Sequence, residues 1–169
     1  MAEGCMIKEY AKKMLLNTEH RVFLLVSGII RGYYLDMDGN DVTHIFISEG
    51  SIYNGDFLTM EKTHTCEFET LETCRVLELN RECLMEYMKK EPGILLFYVN
   101  MLENSINLKN EKETSSVTKS ATERYLAFRE NFPSLEGRVN QQLIATYLGI
   151  APQSLSRIRR TLKENMNVR

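Results

Sequence analysis

The sequence predicts an α+β chain, with an antiparallel β barrel or jelly roll followed by helices. Three observations carry this reading. Before Asn80, short runs rich in β-branched and aromatic residues alternate with turn signals. After Asn80, apolar residues recur at helical intervals. From Arg138 to Arg169, six residues are basic and one is acidic, whereas the rest of the chain holds 15 basic and 22 acidic residues. A basic tail on an acidic body points to a nucleic-acid or membrane partner, the plainer alternative being a solvated helix face.

The strands come first. Val22 to Val26 is a continuous apolar run, broken by Gly28, and Ile29 to Leu35 follows. Asp38-Gly39 is a hairpin signal, because both residues tolerate the backbone of a tight turn. Val42 to Ile47 supplies the return strand. Gly50 and Asn54-Gly55 punctuate the chain before two more short strands, Thr65 to Thr70 and Thr73 to Leu79.

The helices follow. Arg81 to Lys90 places Leu84, Tyr87 and Met88 on one face. Glu91-Pro92-Gly93 interrupts it, and a longer helix is expected over about 94–112. Its residues Ile94, Met101 and Leu108 are seven apart, with Phe97 or Tyr98 and Leu102 alongside. That stripe suits a helix partner, or else the strands of its own chain. Glu113 to Ser120 is polar and rich in Ser and Thr, so it is the expected hinge between domains 1–112 and 113–169. A helix from Ala121, with Tyr125, Leu126 and Phe128 as apolar positions, should end at Phe132-Pro133.

The segment Gln141 to Leu162 reads as helix, tight turn, helix. Ile144, Leu148, Ile150, Leu155 and Ile158 are the positions that would pack the two helices, and Ala145 is small where they cross. Gly149 suits a left-handed helix end, and Pro152 suits the first turn of the next helix. The pattern fits a DNA-binding helix-turn-helix with a recognition helix over about 152–163, the alternative being a generic helical hairpin. Pro152, Gln153, Ser154, Ser156 and Arg157 would face the major groove. There Gln pairs with adenine and Arg with guanine, each worth about 1–3 kcal/mol of discrimination. Arg159, Arg160 and Lys163 are placed for phosphates, and Gln141, Gln142 and Thr146 for bracing the backbone.

With these residues in view, the chain from about Lys12 to Leu162 resembles the Crp/Fnr family of bacterial transcription regulators. The resemblance is carried by VFLLVSGIIRGYYLDMDGNDVTHIFISEG, LETCRVLELNRECL, TERYLAFRENFPSLEGRV and QQLIATYLGIAPQSLSRIRRTL. It implies a cyclic-nucleotide-binding-like jelly roll, a long dimerisation helix and a C-terminal helix-turn-helix domain. It further implies a homodimer on double-stranded DNA, with half-sites about one helical turn apart, and an effector in the jelly roll that biases the dimer.

The departures concern the effector and both ends. Relatives that bind cyclic nucleotides use a Glu for the ribose and an Arg-Ser pair for the phosphate. The corresponding positions here are Asn54, Gly55 and Asp56, then His64 and Thr65. Neutral imidazole does not replace a guanidinium fork, which points away from cyclic AMP and toward an unidentified small effector or none. Residues 1–20 stand where leading strands are expected, and a β-hairpin wing is not expected after Arg169. Ala151 replaces the usual Ser or Thr cap of the reading helix.

Other classes fit less well. No Gly-rich phosphate loop, nucleophile elbow or metal-ligand motif is present, so an enzyme is not expected. Cys5, Cys66, Cys74 and Cys83 form no C-x-x-C and lie too far apart in sequence for an iron–sulfur set, so neither metal nor cofactor is expected. The apolar runs are too short to cross a bilayer, and MAEGCMIKEY is no secretory signal, so a cytoplasmic protein with no membrane partner is expected. The alternative to a DNA-binding regulator is a small-molecule sensor module without useful DNA affinity.

Overall fold

The structure is a computed structural model that describes residues 5–17, 21–54 and 66–167. It contains two compact units, Met1–Leu108 and Lys109–Arg169.

Among the described residues, the first unit has seven strands in two antiparallel sheets. They are β1 (Cys5–Tyr10), β2 (Arg21–Ser27), β3 (Ile30–Leu35), β4 (Asp41–Ile47), β5 (Ile52–Asn54), β6 (Glu67–Thr70) and β7 (Cys74–Asn80). The sheets run β1-β7-β2-β5 and β4-β3-β6. One core joins them: Phe23, Leu25 and Val76 of the first sheet pack with Ile30, Ile47 and Phe68 of the second. The alternation of these residues along each strand sets the register, because a one-residue slip would turn them all outward. Gly28 is required between β2 and β3. It has φ of +106°, and a Cβ there would come within 2.6 Å of the Cys74 Sγ. The hairpin at Asp38-Gly39 forms as expected, with the Asp36 carboxylate accepting the Asp38 and Asn40 N–H groups.

β1 is a strand that the sequence pattern does not announce. It pairs along β7, with Lys8 opposite Val76, and Leu15 adds an isolated bridge to Glu69. Its partners lie some seventy residues downstream, beyond the reach of a local pattern.

Two helices follow, α1 (Arg81–Lys90) and α2 (Pro92–Thr118). Asn80 caps α1 by accepting the Glu82 N–H at 2.9 Å. Pro92 opens α2, where its missing N–H costs nothing. Val22, Leu84, Met88 and Tyr98 form a second cluster, with Ile94 and Leu102 against it. Ile94, Tyr98 and Leu102 therefore pack on their own chain, the second of the two alternatives for that stripe. The exposed apolar positions include Leu95, Val99 and Ile106, four and seven residues apart.

The expected hinge is also corrected, since α2 continues to Thr118. The Ser and Thr hydroxyls there donate back to the helix: Ser115 to the Lys112 carbonyl, Ser116 to Glu113 and Thr118 to Thr114. A polar composition is compatible with a helix once its hydroxyls are satisfied this way.

In the second unit, the chain turns at Lys119 and Ser120 before α3 (Ala121–Asn131). Ser120 and Glu123 form a capping box. Helices α4 (Gln141–Leu148) and α5 (Pro152–Asn167) complete the unit. Its core holds Tyr125, Phe128, Leu135, Ile144, Ala145, Leu148 and Leu155. Leu126, an apolar position of the expected helix, is 37% exposed.

Candidate nucleic-acid interface

The segment 140–163 builds the candidate site. Asn140 caps α4, its side chain accepting the Gln142 N–H at 2.9 Å. Gly149 ends α4 in the left-handed conformation, at φ 64° and ψ 39°. The chain reverses over three residues, 149–151, and Pro152 starts α5. Ala145 is fully buried between the helices, as its small size predicts.

This arrangement leaves one long face of α5 in solvent. Gln153, Arg157 and Arg160 stand on it at intervals of four and three residues, with Pro152, Ser156 and Lys163 beside them, all exposed. Leu155 is buried on the opposite side, and Ile158 and Leu162 are half-buried. Ser154 is half-buried as well. Arg160 makes a surface ion pair with Glu164 at 3.9 Å, a weak restraint that leaves it available. On α4, Gln141 and Gln142 are exposed, while the Thr146 hydroxyl donates to the Leu143 carbonyl at 3.0 Å.

Arg159 is placed differently from its neighbours. Its guanidinium lies 3.5 Å from Glu136 Oε1, and its side chain is 29% exposed. Glu136 also takes the Tyr125 hydroxyl at 2.5 Å and the Arg129 Nε at 2.7 Å. Burial pushes the Glu136 carboxyl up, but Tyr125 and the two guanidinium groups outweigh it, and the net shift is downward. The same burial, reinforced by the Glu136 carboxylate, pushes Tyr125 up to about 12. Sequence reasoning misses Tyr125, Arg129 and Glu136 as a group. One signal is present: Arg159 lies four residues after Leu155 and three before Leu162, on the core-facing side of the helix.

Of the effector positions, Asn54 ends β5 opposite Val22. Gly55, Asp56, His64 and Thr65 lie outside the described residues. In the same unit, the Tyr34 and His44 rings are 5.1 Å apart. Burial raises the Cys66 thiol to about 11, which keeps it protonated at neutral pH. The four cysteines form no disulfide. Among the described residues, no group of three or more His, Cys, Asp or Glu side chains is placed to hold a metal ion, and no helix is long and apolar enough to cross a membrane.

Comparison with known proteins agrees with this architecture. Residues 17–91 match the family described as cyclic nucleotide-binding domain. The comparison with curated proteins finds no significant match. Among solved structures, FixK2 from Bradyrhizobium japonicum is similar at 18% identity and a TM-score of 0.79, over 95% of this chain and 85% of that one. The c-di-GMP responsive global regulator CLP of Xanthomonas campestris is similar at 13% identity and a TM-score of 0.71, over 96% and 88%. A Eubacterium rectale protein assigned to transcriptional regulators of the crp/fnr family is similar at 16% identity and a TM-score of 0.68, over 95% and 79%. At these identities the likeness is one of fold.

Proposed function

We propose that this chain is a dimeric, sequence-specific DNA-binding transcription regulator of the Crp/Fnr type, with α4 and α5 as its helix-turn-helix. The observation that carries the reading is the solvent-facing stripe of Gln153, Arg157 and Arg160 on a helix whose other side is packed on its own unit. The fold shared with structures of named regulators supports it.

In this reading α5 enters the major groove. Gln153, Ser154, Ser156 and Arg157 contact base edges, Pro152 lies against the groove wall, and Arg160 and Lys163 contact phosphates. Gln141, Gln142 and Thr146 brace the backbone from α4. Two copies, joined along α2, read half-sites about one helical turn apart. Asn54, Gly55, Asp56, His64 and Thr65 belong to an effector site in the jelly roll, for a small molecule whose recognition does not use an Arg-Ser pair. The protein works in the cytoplasm, as DNA access requires.

The test is selection of bound sequences from a random duplex pool by the full chain, at low and moderate salt. A two-fold-related consensus is expected, with affinity falling steeply as salt rises. Retention without enrichment would reduce α5 to a non-specific electrostatic surface. No retention would favour a sensor module without DNA affinity.

A further inference from the structure

We propose that Glu136 is a positioning residue for the DNA-reading helix, and that Arg159 is its tether and not a phosphate contact. This rests on the DNA-binding reading of α5 above.

The geometry is specific. Glu136 lies in the connection between α3 and α4, next to Leu135, which is fully buried. Two α3 side chains grip its carboxylate: the hydroxyl of Tyr125, itself 2% exposed, on Oε1, and Arg129 on Oε2. What remains of Oε1 faces Arg159 of α5 at 3.5 Å. Arg159 lies two residues after Arg157 and one before Arg160. A restraint at this point fixes the rotation of α5 about its axis, which decides whether Gln153 and Arg157 face outward together.

Charge supports the same assignment. Two guanidinium groups share one carboxylate, and Arg159 is the less exposed of them, at 29% against 38%. A phosphate contact would have to pull Arg159 away from Glu136. Arg160 is 73% exposed, and its 3.9 Å ion pair is screened by solvent, so it turns to a phosphate at little cost. The basic run Arg157-Ile158-Arg159-Arg160 thus divides by helical phase into outward-facing residues and one inward tether.

The experiment uses the full chain and two duplexes, the consensus recovered by selection and a scrambled one of equal length. Arg159→Ala should leave the salt dependence of binding as in the wild type, whereas Arg160→Ala should lower the slope by about 1. Glu136→Gln, which keeps the shape of the side chain, should reduce the ratio of consensus to scrambled binding several-fold. Its binding to scrambled DNA should hold or rise, because a guanidinium is released. A slope change in Arg159→Ala equal to that in Arg160→Ala would make Arg159 a phosphate contact and overturn the proposal. A parallel loss on both duplexes in Glu136→Gln would show a merely structural role and also overturn it. If the wild type selects no consensus, the DNA reading fails by itself. The tether is then read without DNA, by a double-mutant cycle of Glu136→Gln and Arg159→Met on unfolding, and absence of coupling overturns it.

Discussion

The Lys112 Nζ lies 4.1 Å from the centroid of the Tyr147 ring, over the aromatic face. Both residues belong to the second unit, Lys112 on the last turns of α2 and Tyr147 on α4. Attraction to the ring favours the ammonium, but burial is the larger effect and lowers Lys112 to about 8. An unfolded lysine titrates near 10.4. Between those values the unfolded chain holds more protons, so stability contributed by this residue rises with pH. Below about 8 the full cost of the buried charge is present. Burial and the Glu111 charge raise Tyr147 to about 12, which works the other way above about pH 10. Comparison with Lys112→Met isolates the lysine. The variant should be more stable than wild type at pH 7, and its advantage should shrink as pH climbs toward 10. Urea midpoints at several pH values measure this, and a constant difference would refute it.

The exposed apolar residues Leu95, Val99 and Ile106 share one side of α2. Ile106 is 49% exposed and stands outside the cluster that holds Ile94, Tyr98 and Leu102. Ile106→Glu should therefore leave the fold intact and place a charge in the proposed seam between two copies. Sedimentation velocity should find a dimer for wild type and a monomer for the variant. A variant that still sediments as a dimer would move the seam off this side of α2.

The α4–α5 turn depends on two backbone devices. Gly149 sits at φ 64°, and a Cβ added there would meet nothing within 4 Å. Gly149→Ala therefore causes no clash and costs only the left-handed conformation, about 1 kcal/mol. Asn140→Ala removes the α4 cap and should cost about 1 kcal/mol as well. The two sites stand nine residues apart at opposite ends of α4, so the double variant should lose about the sum. Thermal unfolding of the three variants checks this, and a Gly149→Ala protein as stable as wild type would contradict the turn geometry.

Much of this fold is legible because its signals are local. The strands from Val22 to Ile47 and from Glu67 to Leu79 announce themselves through apolar runs and turn residues, and α1 spans Arg81–Lys90 as expected, whereas β5, only three residues long between turn signals, is not announced. Gly149 and Pro152 mark the α4–α5 turn because each relieves a specific backbone constraint. The failures are also physical. Glu113 to Thr118 looks like a linker by composition, yet its hydroxyls satisfy helix carbonyls. β1 depends on partners some seventy residues downstream, which no period reveals, and the Glu136 network joins side chains from α3, the connection after it and α5. Arg159 shows the intermediate case, where charge suggests DNA and helical phase points inward.

Glu78 offers a test of the first unit. Its side chain is only 6% exposed, on the strand face shared by Cys74 and Val76 of the core. Lys8 reaches it at 2.9 Å and Arg21 at 2.5 Å, and Tyr10 donates its hydroxyl to the other oxygen. Burial raises the carboxyl, but these three donors prevail and hold it below its ordinary value. As pH falls, the unfolded state is therefore protonated first. The contribution of Glu78 is fully present above about pH 4.3 and is lost as pH drops through the lower folded value. Glu78→Gln should cost stability at pH 7 and lose less than wild type on acidification. Lys8 and Arg21 are 35% and 42% exposed, so solvent screens the pairs. The loss at neutral pH should then be about 1–2 kcal/mol, below the roughly 3–5 kcal/mol of a fully buried pair. Urea unfolding at pH 7 and pH 3 provides the comparison. Equal acid sensitivity in the two proteins would mean that the Glu78 cluster does not contribute to the acid response.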